Sequence, residues 1–146
     1  MDLLYRFLLY IHILSVIMSI GPFFILFPII KKLREAKDEV QTVLLDSFRV
    51  AVRLTKHAGH LLVGSGILLV IFSGWTWKTS WIVITILIMV SSLFFLARAF
   101  SPLLRKFTDS KQDREMLTKK LMRTTLAYLF LLLIMLWFMV AKPALW

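Results

Sequence analysis

The chain alternates between long stretches without a charged residue and shorter stretches crowded with Lys and Arg. Residues 7–30, 57–77, 79–97 and 124–141 contain no Asp, Glu, Lys or Arg. About 20 apolar residues in a helix cross the hydrocarbon core of a bilayer, and each stretch meets or approaches that length. Inside lipid every backbone polar group needs a partner within the protein. Runs rich in Leu, Ile and Phe without period-two alternation therefore predict helices rather than barrel strands. The expected fold is all-α: an integral membrane four-helix bundle forming one transmembrane domain over residues 1–146, with spans at 7–30, 57–77, 79–100 and 124–141. The first run follows MDLLYR, is too long for the core of a secretory signal and lacks a small-x-small cleavage site, so it is expected to stay as a helix.

The segments between spans keep a helical period. In EVQTVLLDSFRVAVRLTK, Val40, Val43, Leu44, Ser47, Phe48 and Ala51 recur on one face, while Asp46, Arg49, Arg53 and Lys56 fall mostly on the other. This predicts a helical extension preceding the second span. In the last connection, residues 108–110 offer an N-cap, Asp113 stands three beyond Ser110, and Glu115 precedes Lys119 at i,i+4, which predicts a similar stem for the fourth span. Gly21-Pro22 predicts a kink inside the first span, and Pro28 a bend or an end. Gly64-Ser65-Gly66, Gly74 and Ser91-Ser92 supply small surfaces where helix backbones approach closely.

Composition agrees with a membrane protein. A 146-residue chain that is 60% hydrophobic, with a mean hydropathy of +0.84, is too apolar for one small water-soluble core. A net charge of +10 and a pI near 10.3 raise the question of nucleic acid, but the placement of the charges answers it. Lys31, Lys32, Arg34, Lys37, Arg49, Arg53 and Lys56 lie between the first and second spans, and a second basic group, from Arg98 to Arg123, lies at or between the ends of the third and fourth. Connections enriched in Lys and Arg stay cytoplasmic, so both long connections face inward and both termini outward, at the cell membrane. Topology and attraction to anionic lipid account for the basic charge, and no nucleic-acid partner is expected. The remaining turn, GWTWKTSW, places Trp75, Trp77 and Trp81 around Lys78, as in an interfacial aromatic belt; a quinone or lipid site is the alternative. With no cysteine, disulfides, thiolate metal sites and cysteine nucleophiles are excluded.

An ionisable residue within a span is costly and is a functional candidate by default. His12 is the clearest case, roughly 10 Å below an outer boundary near Tyr5. Counted from an outer end near Trp77, His60 and His57 lie roughly 25 and 30 Å deep, near the cytoplasmic interface. That depth difference, something like 15 Å, argues against His12 and His60 holding one metal. At the depth of His12 the other spans offer Met89, Met135 and Met139. His and Met are a recognised axial pair for haem iron, and imidazole with thioethers also suits Cu(I). Methionine also serves as apolar gap filler, and the alternatives for His12 are a hydrogen bond to a neighbouring helix, then proton handling. His57 and His60, at i and i+3, are secondary candidates for an interfacial metal, haem-propionate or quinone contact.

The stretch LYIHILSVIMSIGPFF, residues 9–24, resembles the first helix of a bacterial four-helix membrane superfamily that includes copper-resistance D-type proteins and HemJ-type protoporphyrinogen oxidases. The ending FMVAKPALW resembles the Met-x-x-Lys-Pro close of an uncharacterised membrane family related to them, and SGILL followed by SGW fits the same family. The resemblance implies a haem or metal ligand at His12, and it aligns Met139, Lys142 and Pro143 with the terminal motif. Residues 79–97 lack the histidine or lysine that oxidase chemistry would use. The eight acids lie in connections or at the N-terminus, and no span carries paired carboxylates. The expected function is binding of a b-type haem or related redox centre in the outer half of the bundle through His12 and one of Met89, Met135 or Met139, for electron transfer or haem handling. The alternatives are an accessory or assembly subunit of a larger membrane complex or homo-oligomer, and copper transport.

Overall fold

A computed structural model describes residues 2–106 and 114–146. Its elements are α1 (Asp2–Glu35), α2 (Asp38–Phe72), α3 (Ser80–Phe95), a π-helical turn (Leu96–Phe100), α4 (Ser101–Lys106) and α5 (Arg114–Ala141). Among the described residues, four helical stretches are long and apolar enough to cross a membrane, with α3 running through the π turn and α4 as one of them. The chain is thus a four-helix membrane bundle.

At 1.5 Å per residue α1 and α2 each extend about 50 Å, well beyond a hydrocarbon core of about 30 Å. The surplus lies on the basic side, where α2 begins at Asp38 with acidic residues in its first turn. There Arg34, near the end of α1, bonds Glu115 at the start of α5 at 2.6 Å, and Lys119 lies 4.0 Å from the same carboxylate. The N-cap expected at residues 108–110 and the partner expected at Asp113 lie outside the described residues.

Neither proline divides α1. The helix runs through Pro22 and Pro28 to Glu35, so of the bend or end expected at Pro28 the end does not occur. Each ring removes only one backbone donor, and packed neighbouring helices tolerate that loss in membrane bundles. The third span also passes its expected limit at residue 100. Pro102 cannot donate to the carbonyl of Arg98, and the wider π turn just before it carries the chain past the missing bond to Lys106. The second span is shorter than expected on the outer side: α2 stops at Phe72, and residues 73–79 form the turn.

Around the bundle the order is α2, α1, α5, α3. Helix α1 packs along α2 and against α5, and α3 packs on α5, whereas α2 and α3 scarcely touch although one short turn joins them. The α1–α2 seam is built from small polar residues: Ser15, Ser19, Thr55 and Ser65 are all buried. Ser19 donates to the Ser15 carbonyl at 2.8 Å and Thr55 to the Ser19 carbonyl at 3.4 Å, so the hydroxyls are satisfied while the backbones draw close.

The inner half is closed by aromatic side chains from α1, α2, α3, the π turn and α5. Tyr128 of α5 lies 4.6 Å from the Phe23 ring, 6.0 Å from Phe95 and 5.8 Å from Phe100, and Phe48 of α2 lies 5.8 Å from Phe100. Where α2 and α3 do meet, Gly59 makes room: a Cβ there would stand 3.2 Å from Leu93 Cδ2. Farther out the same gap opens into a cavity.

Candidate functional site

The cavity occupies about 560 Å³ in the outer half of the bundle and is walled by all four spans. That is within the range of small-molecule and cofactor sites, ~300–1,000 Å³. Its walls are almost wholly apolar. The exceptions include His12 from α1, Thr85 from α3, and Lys142 after α5. Met89, Met135 and Met139 line it as well, so four candidates placed at a similar depth by counting along three helices share one chamber. Met135 is fully buried, while Met89 and Met139 are half-buried.

The seat of His12 is made by α2. Its Nδ1 lies 2.9 Å from Ser65 Oγ, and Ser65 Oγ donates its proton to the Leu62 carbonyl at 3.1 Å. The hydroxyl has a single proton: given to Leu62, it makes Nδ1–H the donor to Oγ and leaves the lone pair on Nε2; given to Nδ1, it leaves the ring proton on Nε2. The first arrangement is the one that ordinarily orients a metal-ligating histidine, by a donated bond from its other nitrogen. Gly66 completes the seat, because a Cβ at that position would stand 3.2 Å from His12 Cε1 and 3.7 Å from Nδ1. The imidazole edge lies where a side chain would otherwise be. By contrast Gly64 and Gly74 have nothing within 4 Å of a Cβ, so close approach in this glycine-rich segment is confined to Gly66.

His57 and His60 are not part of the chamber. Both are exposed on α2, away from the cavity walls. Because His12 pairs with Ser65, the offset between His12 and His60 along the helix is roughly 7.5 Å rather than 15 Å. The earlier figure assumed that α2 reached Trp77. What separates the two histidines is direction, since five residues turn the helix by about 140°. Among the described residues no cluster of three or more His, Cys, Asp or Glu side chains is arranged to hold a metal ion. Any metal in the chamber would depend on His12 and thioethers.

At the outer rim the chain end is laced to the α2–α3 turn. Ser80 Oγ donates to the Pro143 carbonyl at 3.1 Å, the Leu145 amide donates to Ser80 Oγ at 3.0 Å, and Trp146 Nε1 donates to the Lys78 carbonyl at 3.0 Å. These bonds set Trp75, Trp77, Trp81 and Lys142 over the chamber. The terminal Met-x-x-Lys-Pro stretch thereby gains a structural meaning: Met139 and Lys142 line the cavity, and the Pro143 carbonyl ties the tail to buried Ser80.

Residues 6–143 match a family described as "Predicted integral membrane protein (DUF2269)". The chain belongs to that family. The match runs from the first turns of α1 to the terminal proline, so it embraces every wall of the chamber except Tyr5. No curated protein and no solved structure matches the chain. Within this DUF2269 protein, Ser65, Gly66 and Ser80 are residues whose part in the site only the packing reveals. The composition of Gly64-Ser65-Gly66 signals close approach, but nothing in the sequence says which of the three meets His12.

Proposed function

We propose that this protein binds a b-type haem in the outer chamber, with His12 as axial ligand and one of Met89, Met135 or Met139 as the second, and serves electron transfer or haem handling in the membrane. The observation that carries the reading is the convergence of an oriented imidazole and three thioethers on one apolar cavity of about 560 Å³. A porphyrin asks for an apolar slot, an axial donor and partners for its acidic edge. The chamber answers with its aliphatic walls, with the Nε2 lone pair of His12, and with Lys142 at the rim. When bound, the iron would supply one-electron chemistry, its potential raised by a thioether ligand. The chain's own residues would hold the ring and exclude water, and the Ser65 bond would fix the tautomer of His12. The likeness of residues 9–24 to the first helix of copper-resistance D-type and HemJ-type proteins supports the same reading.

The same thioethers favour a second reading, Cu(I) held by His12 with Met89, Met135 or Met139, since soft sulfur donors suit that ion. Adding ferric haem to the detergent-purified protein separates the two. The expected result is a stoichiometric shift and sharpening of the Soret band that His12→Ala abolishes, with one of the Met→Leu changes altering the reduced spectrum. A spectrum unaffected by His12→Ala refutes the assignment. Stoichiometric copper without haem uptake supports the second reading. Absence of both, with a larger complex co-purifying, supports an accessory subunit in which His12 serves only to bond Ser65.

A further inference from the structure

The chamber occupies one side of α2, and another side carries a separate pattern. Positions 40, 43, 47, 50, 54, 57, 61, 64, 68 and 71 follow one another at alternating steps of three and four, and all are exposed. Seven of them are Val, Leu or Ile, from 40 to 64% exposed, and the other three are Ser47, His57 and Gly64. Apolar residues kept at that spacing beyond about three to four heptads form the seam of a coiled coil. Within the span such a stripe needs no protein partner, because lipid covers it.

The cytoplasmic stem is different. Counted inward from Phe72, about 20 residues exhaust the hydrocarbon core, so α2 leaves it near Arg53. Val40, Val43 and Val50 lie beyond that point, 51, 64 and 62% exposed. Helix α2 is unbroken from Asp38 to Phe72, so the stem continues the line of the span and cannot lay these valines on the membrane surface. Glu39, Asp46 and Arg53 flank the stripe on one side, while Leu44 and Ala51 join it to the core on the other. Bare valines on a water-facing stem, in line with the stripe of the span, call for a protein surface to cover them.

We propose that the stripe from Val40 to Ile71 is the interface between two copies of this chain, paired through α2. Insertion gives every copy one orientation and one depth, so two stripes meet in register about an axis along the membrane normal, each residue beside its own counterpart. Charge permits the pairing. In a parallel seam Asp46 and Arg53 of one copy flank Ala51 and Ala58 of the other, so no two like charges meet. Ser47 and Gly64 let the backbones approach, and His57 supplies a polar layer of the kind that fixes register in such seams. The seven apolar side chains leave roughly 600 Å² bare per chain, against about 800 Å² per partner in a standard interface, and the flanking residues supply the remainder. No residue of the stripe lines the chamber, so the pairing is independent of the haem reading and leaves the ligand site free.

The test exploits the absence of cysteine from the chain. Single cysteines are placed along α2 of the full chain, and membranes from expressing cells are treated with copper phenanthroline and analysed for disulfide-linked dimers. Val40→Cys, Val43→Cys, Val50→Cys and Leu61→Cys should each give about tenfold more dimer than Thr42→Cys and Lys56→Cys, which are exposed but turned off the seam. Val43→Glu together with Val50→Glu should reduce the dimer formed by Leu61→Cys about tenfold, since facing carboxylates in the stem open the seam in the span as well. Equal cross-linking on and off the stripe, or a signal confined to the span with a silent stem, overturns the proposal. Capture of a different protein at the stem, with no self-linked product, overturns it too. Should the doubly substituted chain fail to accumulate, the positional pattern alone decides.

Discussion

The seat of His12 makes a quantitative prediction for Gly66→Ala. The new methyl carbon would stand 3.2 Å from His12 Cε1, against about 3.5–4.0 Å for relaxed carbon contacts. The ring must therefore retreat by about 0.5 Å, and retreat stretches the 2.9 Å bond to Ser65 toward the limit of useful geometry. Loss of that bond costs about 0.5–1.5 kcal/mol. Replacing a mid-helix glycine by alanine returns about 0.5–1 kcal/mol. Gly66→Ala should thus be near neutral in the wild-type chain. In a His12→Ala background the clash disappears, and the same change should stabilise by the full helix term. The coupling between the two positions is then about 1 kcal/mol, well above the ~0.3–0.5 kcal/mol scatter of independent sites. Gly64→Ala is the control, since nothing lies within 4 Å of its Cβ, and it should stabilise equally in both backgrounds. Reversible unfolding in mixed micelles measures all the terms. If Gly66→Ala stabilises as much with His12 present as without it, the imidazole is not seated as described.

Three further outcomes follow from the same geometry. Tyr128 is almost wholly buried and its hydroxyl bonds the Ser92 side chain, so Tyr128→Phe should cost about 1 kcal/mol in the same unfolding assay without affecting ligand uptake. Lys142→Gly should relieve the left-handed backbone and raise stability by roughly 1 kcal/mol while weakening binding of acidic ligands, a separation of stability from function that a purely structural lysine would not show. For orientation, a cysteine replacing Lys37 should be shielded from an impermeant thiol reagent in intact cells and one replacing Lys78 should be labelled; the reverse result would invert the topology.

Much of this architecture is legible in the chain because the bilayer permits so few solutions. Charge-free runs mark the spans, and the basic residues from Lys31 to Lys56 mark the inner side. Counting residues inward from the outer end of each span is enough to bring His12, Met89, Met135 and Met139 to a common depth. Depth, however, is only one coordinate. Which way a residue faces depends on how α1 and α2 are rotated against each other, and that rotation is set by the buried seam of Ser15, Ser19, Thr55 and Ser65, small polar residues that carry little hydropathy signal. The pairing of His12 with Ser65 and Gly66 is therefore hidden until the helices are packed. Pro28 does not end α1 for a related reason: the rule that proline stops a helix describes a helix in isolation, whereas α1 is held on two sides by α2 and α5. The α2–α3 turn consumes residues 73–79, of which hydropathy alone assigns all but Lys78 to the spans, and this displaces the depth expected for His60.

The most direct measurement is the absorption spectrum of the protein purified from its own membranes with no cofactor added, dithionite-reduced minus oxidised, for the wild type and for His12→Leu at equal protein concentration. The account predicts a Soret band with split α and β bands near one haem per chain in the wild type, and their loss in the variant. A wild-type protein free of haem and unable to take it up, or a spectrum that His12→Leu leaves unchanged, would contradict it.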